Sequence, residues 1–118
     1  MRLTEITYGQ ALAIESYGPG FFRVGTHVLR GACLVTPWDA GAWGGFDDTA
    51  GPLSLIGKID VLLLGTGRDI TPVPRAFRAA LESADIGVEP MNSPAACRTY
   101  NVLLGEGRRV AACLLPVP

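Results

Sequence analysis

The apolar positions of this chain change their period near its middle. The stretch Asp60-Val61-Leu62-Leu63-Leu64-Gly65-Thr66-Gly67 holds four consecutive large apolar residues and ends in a Gly-x-Gly turn. A run of that length is too short for a helix, and without alternation it reads as a strand covered on both faces. Ahead of it, apolar and polar residues partly alternate. Leu12 to Tyr17 leads into the turn Gly18-Pro19-Gly20, and Phe21–Val24 and His27–Leu29 flank Gly25-Thr26, a hairpin-type connection in which glycine supplies positive φ. Ala32-Cys33-Leu34-Val35 is a third apolar run, closed by Thr36-Pro37. Residues 11–36 therefore read as an antiparallel meander, preceded by a polar arm at 1–10.

After Gly67 the spacing becomes helical. Val73, Phe77, Ala80, Leu81 and Ala84 fall on one face, with Arg78 and Glu82 as an i,i+4 pair away from it. Thr71 is the expected cap, with Pro72 or Pro74 in the first turn, and the helix ends near Asp85-Ile86-Gly87. Val88-Glu89 begins a short strand. Asn92-Ser93-Pro94 opens a second helix, with Ser93 expected at the N-cap and Pro94 at the first helical position. Ala96, Tyr100, Leu103 and Leu104 repeat along it, and small Ala95 and Ala96 allow a close approach to a sheet. Gly105 and Gly107 end it, and Val110–Leu115 is a last buried strand before Pro116. Residues 60–118 thus read strand, helix, strand, helix, strand. That order predicts right-handed crossovers and a parallel core, an α/β fold with the N-terminal ribbon attached.

Composition narrows the class. A length of 118 residues with 48% hydrophobic and 18% charged residues fits one packed domain. The net charge of −1 argues against a broad nucleic-acid footprint, which needs clustered excess Lys and Arg. Lys58 is the single lysine, so positive charge is almost wholly arginine, the residue suited to bidentate contacts with carboxylates and phosphates. Cys33, Cys97 and Cys113 are odd in number and widely spaced, which supports neither a disulfide framework nor a zinc site. Buried thiols in a reducing, cytoplasmic setting are expected. The N-terminus lacks an apolar signal core, and no apolar run reaches membrane-spanning length.

Two regions invite a functional reading. Residues 37–59 form a glycine-rich stretch carrying Trp38, Trp43 and Phe46, expected to be a long loop that ends in a short helical turn over Leu53–Lys58. Its aromatics either cap the open face of the sheet or present a contact surface to a protein partner, where tryptophan is often a hot spot. The second region is the cleft beyond the carboxyl ends of the parallel strands. Gly65, Thr66, Gly67 and Arg68 from one strand end would meet Asn92, Ser93, Arg98 and Thr99 from the second helix. Such a cleft suits a small anionic ligand, while the plainer reading is a tight turn and helix capping. The Gly-x-Gly lacks the further glycine and downstream acid of a dinucleotide fingerprint. His27 lies far from this cleft in sequence, as a strand surface residue. Cys97 sits near a helix start that favours thiolate, but among alanines that favour an inert buried thiol. No Ser-His-Asp order, metal-ligand cluster or Walker loop is present, Glu89 and Glu106 form no evident acid/base pair, and no cofactor is called for.

The same residues carry a family likeness. Leu64-Gly65-Thr66-Gly67, the block Val88-Glu89-Pro90-Met91-Asn92-Ser93-Pro94-Ala95-Ala96-Cys97-Arg98-Thr99-Tyr100-Asn101-Val102-Leu103, and Glu106-Gly107-Arg108-Arg109-Val110 resemble a family of small proteins. That family groups uncharacterised bacterial and archaeal members with the mitochondrial respiratory complex I assembly factor 3. The likeness covers most of the chain, is strongest from residue 60 onward, and is most specific in the Ala-Ala-x-x-Thr-Tyr-Asn block. Ser93-Pro94 stands where Thr-Gly is more usual, and Pro94 removes one backbone donor there. The resemblance implies a three-layer α/β fold with a mixed central sheet. It also implies a non-enzymatic role in assembling respiratory complex I, with complex subunits or other assembly factors as partners and any membrane association made through them. No catalytic residues come with it. Self-association through the aromatic loop or an open sheet edge is left open by the sequence.

Overall fold

The computed structural model describes residues 11–118, so the expected polar arm at 1–10 lies outside the described residues. Three strands form an antiparallel ribbon, β1 (Ile14–Gly18), β2 (Phe21–Val24) and β3 (His27–Arg30). Gly25-Thr26 closes the β2–β3 hairpin with Val24 opposite His27, and Gly25 has the positive φ that this turn needs. Ile14, Phe22 and Val24 point inward, while Ser16, Arg23 and Val28 face out.

The third apolar run leaves this ribbon, which corrects the single meander expected over 11–36. β4 (Cys33–Val35) pairs antiparallel with β8 (Val110–Leu115) and becomes part of a five-stranded sheet in the order β5 (Ala40–Ala42), β4, β8, β6 (Val61–Thr66), β7 (Gly87–Met91). Cys33 and Val35 feed one core cluster while Leu34 packs on the other, so this strand is covered on both faces and fits no one-sided ribbon. β6 (Val61–Thr66) is central and runs parallel to both β7 (Gly87–Met91) and β8. The helices α2 (Arg75–Glu82) and α3 (Ser93–Gly105) complete the expected βαβαβ core.

Side chains alternate across the large sheet and define three layers. Leu62, Leu64, Ala111 and Cys113 pack with Trp43, Phe77, Leu81 and Ile86 on one face. Leu63, Val110, Ala112 and Leu114 pack with Ala96, Cys97 and Tyr100 of α3 and with the inner face of the ribbon on the other. The fold is therefore α/β with a mixed central sheet between two covering layers.

The aromatic segment is more ordered than the long loop expected at 37–59. Thr36 Oγ1 accepts the N–H groups of Trp38 (3.3 Å) and Asp39 (2.8 Å), turning the chain so that β5 (Ala40–Ala42) pairs back on β4. A 3-10 turn at Gly45–Asp47 and the short helix α1 (Ala50–Leu53) follow. Asp48 organises this turn, its carboxylate accepting from Gly51 N–H (3.0 Å) and Gly44 N–H (2.9 Å). The Gly51 bond first, and then the Gly44 bond, hold its carboxyl below the usual range. A depressed carboxylate helps the fold above its ordinary titration range, so this support is present at neutral pH and fades as pH falls through it. Among the described residues no helix is long and apolar enough to cross a membrane.

Candidate functional site

Beyond the strand ends β6 and the start of α3 do come together, but Thr66, Asn92 and Ser93 spend their side chains on nearby backbone groups. Asn92, rather than Ser93, is the N-cap of α3, its Oδ1 accepting the Ala95 N–H at 2.8 Å. Ser93 begins the helix, is fully buried, and ties the carboxyl ends of the strands. Its Oγ donates to the Leu115 carbonyl (2.6 Å) and accepts from Gly67 N–H (2.9 Å), while its own N–H donates to the Gly67 carbonyl (2.7 Å). Pro94 then takes a place in the first turn that needs no donor. Thr66 Oγ1 donates to the Asp69 carbonyl at 2.7 Å and accepts from Thr71 N–H at 3.1 Å. Thr71 therefore braces this loop instead of capping α2, which begins at Arg75 after Pro74. Of the eight residues, Arg68 and Arg98 are exposed, with Asn92 and Thr99 half-buried.

Gly65 is a close-approach glycine within β6, not a turn residue. A Cβ there would stand 2.7 Å from Ser93 Oγ, 2.9 Å from Leu114 Cδ2 and 3.0 Å from Ser93 Cα. Gly67 does make the turn, at φ 97°. Gly65→Ala is expected to cost about 1–3 kcal/mol by overpacking, because a backbone atom of α3 is among the groups that must shift. The urea midpoint, at unchanged m, is the measurement. An effect below about 0.5 kcal/mol would show that α3 is not seated on β6 as described.

The three aromatics divide. Trp43 is only 4% exposed, stacks edge-on against Phe46 at 5.8 Å and meets Phe77 at 5.8 Å, and its Nε1 donates to the Asp48 carbonyl at 3.0 Å. It caps the sheet and offers no surface. Phe46 is half-buried in the same cluster, and Trp38 is 43% exposed. Beside Trp38 lies an open groove of about 370 Å³ between β5 and the Ser54–Lys58 turn, floored by Leu34 and Leu55.

The Ala-Ala-x-x-Thr-Tyr-Asn block has a structural task that sequence reasoning missed. Tyr100 is fully buried and donates its hydroxyl to the Leu12 carbonyl at 2.8 Å. Asn101 grips the backbone of Ile14 from both sides, accepting its N–H at 2.9 Å and donating to its carbonyl at 2.8 Å. These two side chains fasten the ribbon to α3. A polar Asn beside a core Tyr was the available signal, but its partners lie 87 and 88 positions away.

The thiols are buried and spread over both faces of the sheet. Burial pushes Cys97 up to about 11 against the opposing pull of Arg98, and pushes Cys33 up to about 12, with Cys97 adding to it. Cys113 is raised as well, again mainly by burial. Iodoacetamide at pH 8 is expected to leave the native protein unmodified and to label all three thiols after unfolding. A fast single adduct at Cys97 in the native state, read by intact mass, would overturn the inert assignment. His27 lies exposed on β3, away from the cleft.

Comparison with known proteins gives this architecture its relatives. The family model described as "Protein of unknown function (DUF498/DUF598)" matches residues 14–115. An uncharacterised protein of Rhodobacter capsulatus is 48% identical over 94% of this chain and 90% of its own length. A zebrafish protein named NADH dehydrogenase [ubiquinone] 1 alpha subcomplex assembly factor 3 is 34% identical over 89% of this chain, which spans 64% of that relative. Among solved structures, one described as an outer membrane protein from Bartonella henselae superposes with a TM-score of 0.83 at 35% identity, over 92% of this chain and 97% of the other. With the match running from β1 to the end of β8, the chain belongs to the DUF498/DUF598 family, which the resemblance in its second half had already indicated.

Proposed function

We propose that this protein is a non-enzymatic interaction factor that supports assembly of a multi-subunit complex, with respiratory complex I as the candidate. The observation that carries this reading is the 34% identity to a complex I assembly factor across nearly the whole described fold. Partners would be complex subunits or other assembly factors, met in the cytoplasm, with membrane contact made through them. The cleft adds indirect support. Ser93 and Thr66 spend their hydroxyls within the fold and Asn92 Oδ1 caps α3, which leaves Arg68 and Arg98 as its exposed charged chemistry. That arrangement suits a scaffold better than a ligand-binding or catalytic centre.

Cross-linked affinity capture from respiring cells of the parent organism tests the proposal. Enrichment of NADH:ubiquinone oxidoreductase subunits or their assembly factors over a tagged control is the expected result. Capture that contains none of them would count against the role.

A further inference from the structure

The two edges of the five-stranded sheet are finished differently. On β7, Gly87 N–H turns inward to the Asp60 carbonyl, so Val88 and Pro90 face outward by alternation. Pro90 has no N–H to offer there, and the Arg78 guanidinium covers the Val88 carbonyl at 3.4 Å. That edge is closed to a further strand.

The β5 edge is finished at one group only, the Ala40 N–H. Thr36 N–H bonds the Asp39 carbonyl (2.8 Å) and Trp43 N–H bonds the Ala32 carbonyl (3.1 Å), so residues 39, 41 and 43 address β4. The Ala40 carbonyl and both backbone groups of Ala42 therefore point off the sheet. The Ala40 N–H is taken by Asp39 Oδ1 at 2.9 Å. Among the described residues no strand pairs on that side, and a Cβ at Gly41 would meet nothing within 4 Å. The apolar-floored groove runs along the same edge, lined by Trp38, Lys58 and Asp39, the last with its carboxylate engaged by the Ala40 N–H.

We propose that the β5 edge and this groove take an extended peptide segment of a partner protein as an added strand. A strand is the ligand whose backbone satisfies an outward row of carbonyl and N–H groups. Its alternate side chains would be apolar, entering the groove over Leu34 and Leu55, and one acidic residue would meet Lys58, the single lysine of the chain. The inference deepens the interaction-factor reading, which concerns who supplies the segment; the edge itself is argued from the sheet.

The test is selection of random nonapeptides displayed on phage against the intact protein, followed by binding of the synthesised winners. Alternating apolar peptides with an acidic residue are expected to be enriched and to slow hydrogen exchange at the Ala42 amide. Ala42→Pro, an outward position where proline is tolerated, should weaken them about tenfold, or about 1.4 kcal/mol. Lys58→Glu, at an exposed position, should shift the selected charge from acidic to basic and keeps the test valid if the proline variant misfolds. No enrichment, binders indifferent to both variants, or an Ala42-dependent dimer of the protein itself would overturn the proposal. Capture of complex I subunits is read separately, so failure here is distinguishable from failure of the assembly role.

Discussion

Phe77→Ala is expected to remove about 3–5 kcal/mol of stability, the usual cost of emptying a large buried aromatic site. Phe77 is buried against the sheet and also closes an aromatic cluster, with ring centroids 5.4 Å from Phe46 and 5.8 Å from Trp43. Such pairs add about 0.5–1.5 kcal/mol beyond area alone. Set against a total of about 5–15 kcal/mol for a domain, the loss brings the variant close to unfolding. Urea denaturation followed by tryptophan fluorescence is the measurement, since Trp43 loses its neighbour. A loss under about 1 kcal/mol would mean that α2 does not seal this face.

Asn101→Ala should be nearly as damaging for a different reason. It leaves the N–H and the carbonyl of Ile14 without their partners, and Ile14 is a buried residue. Each orphaned buried group costs about 1–3 kcal/mol, so a loss of about 2–3 kcal/mol is expected after partial rehydration. The loss should be local. Hydrogen exchange should quicken in β1 and β2 while β6 and β8 keep their protection, because the ribbon hangs on α3 through this side chain and Tyr100. Uniform quickening of all strands would contradict that account.

The parallel core was legible because its signals are local. Val61–Leu64 has the continuous apolar character of a strand buried twice over, and Ala96, Tyr100, Leu103 and Leu104 keep the helical period. The Gly25-Thr26 hairpin and the Arg78–Glu82 pair, 3.1 Å apart, follow from short-range rules in the same way. What the sequence hid depends on distant partners. Ala40-Gly41-Ala42 has weak strand preference, and its pairing is imposed by the Thr36 turn and by β4. Ser93 resembles a cap until the Leu115 carbonyl is seen beside it, and Thr71 resembles one until Pro74 proves to be the residue ahead of α2. Trp38 and Trp43 look alike in sequence, yet one lines a groove and the other fills the core.

The strand ends and the start of α3 do meet, and there Thr66 and Ser93 hold the fold together. The proposed partner surface is the β5 edge with Trp38 and Lys58.

The measurement that tests the central claim most directly is the amount of assembled complex I in a strain lacking this gene, resolved by native gel electrophoresis under respiratory growth. The assembly role predicts less intact complex and an accumulation of partial assemblies, both restored by the wild-type protein. An unchanged amount of fully assembled complex in the deletion strain would contradict it.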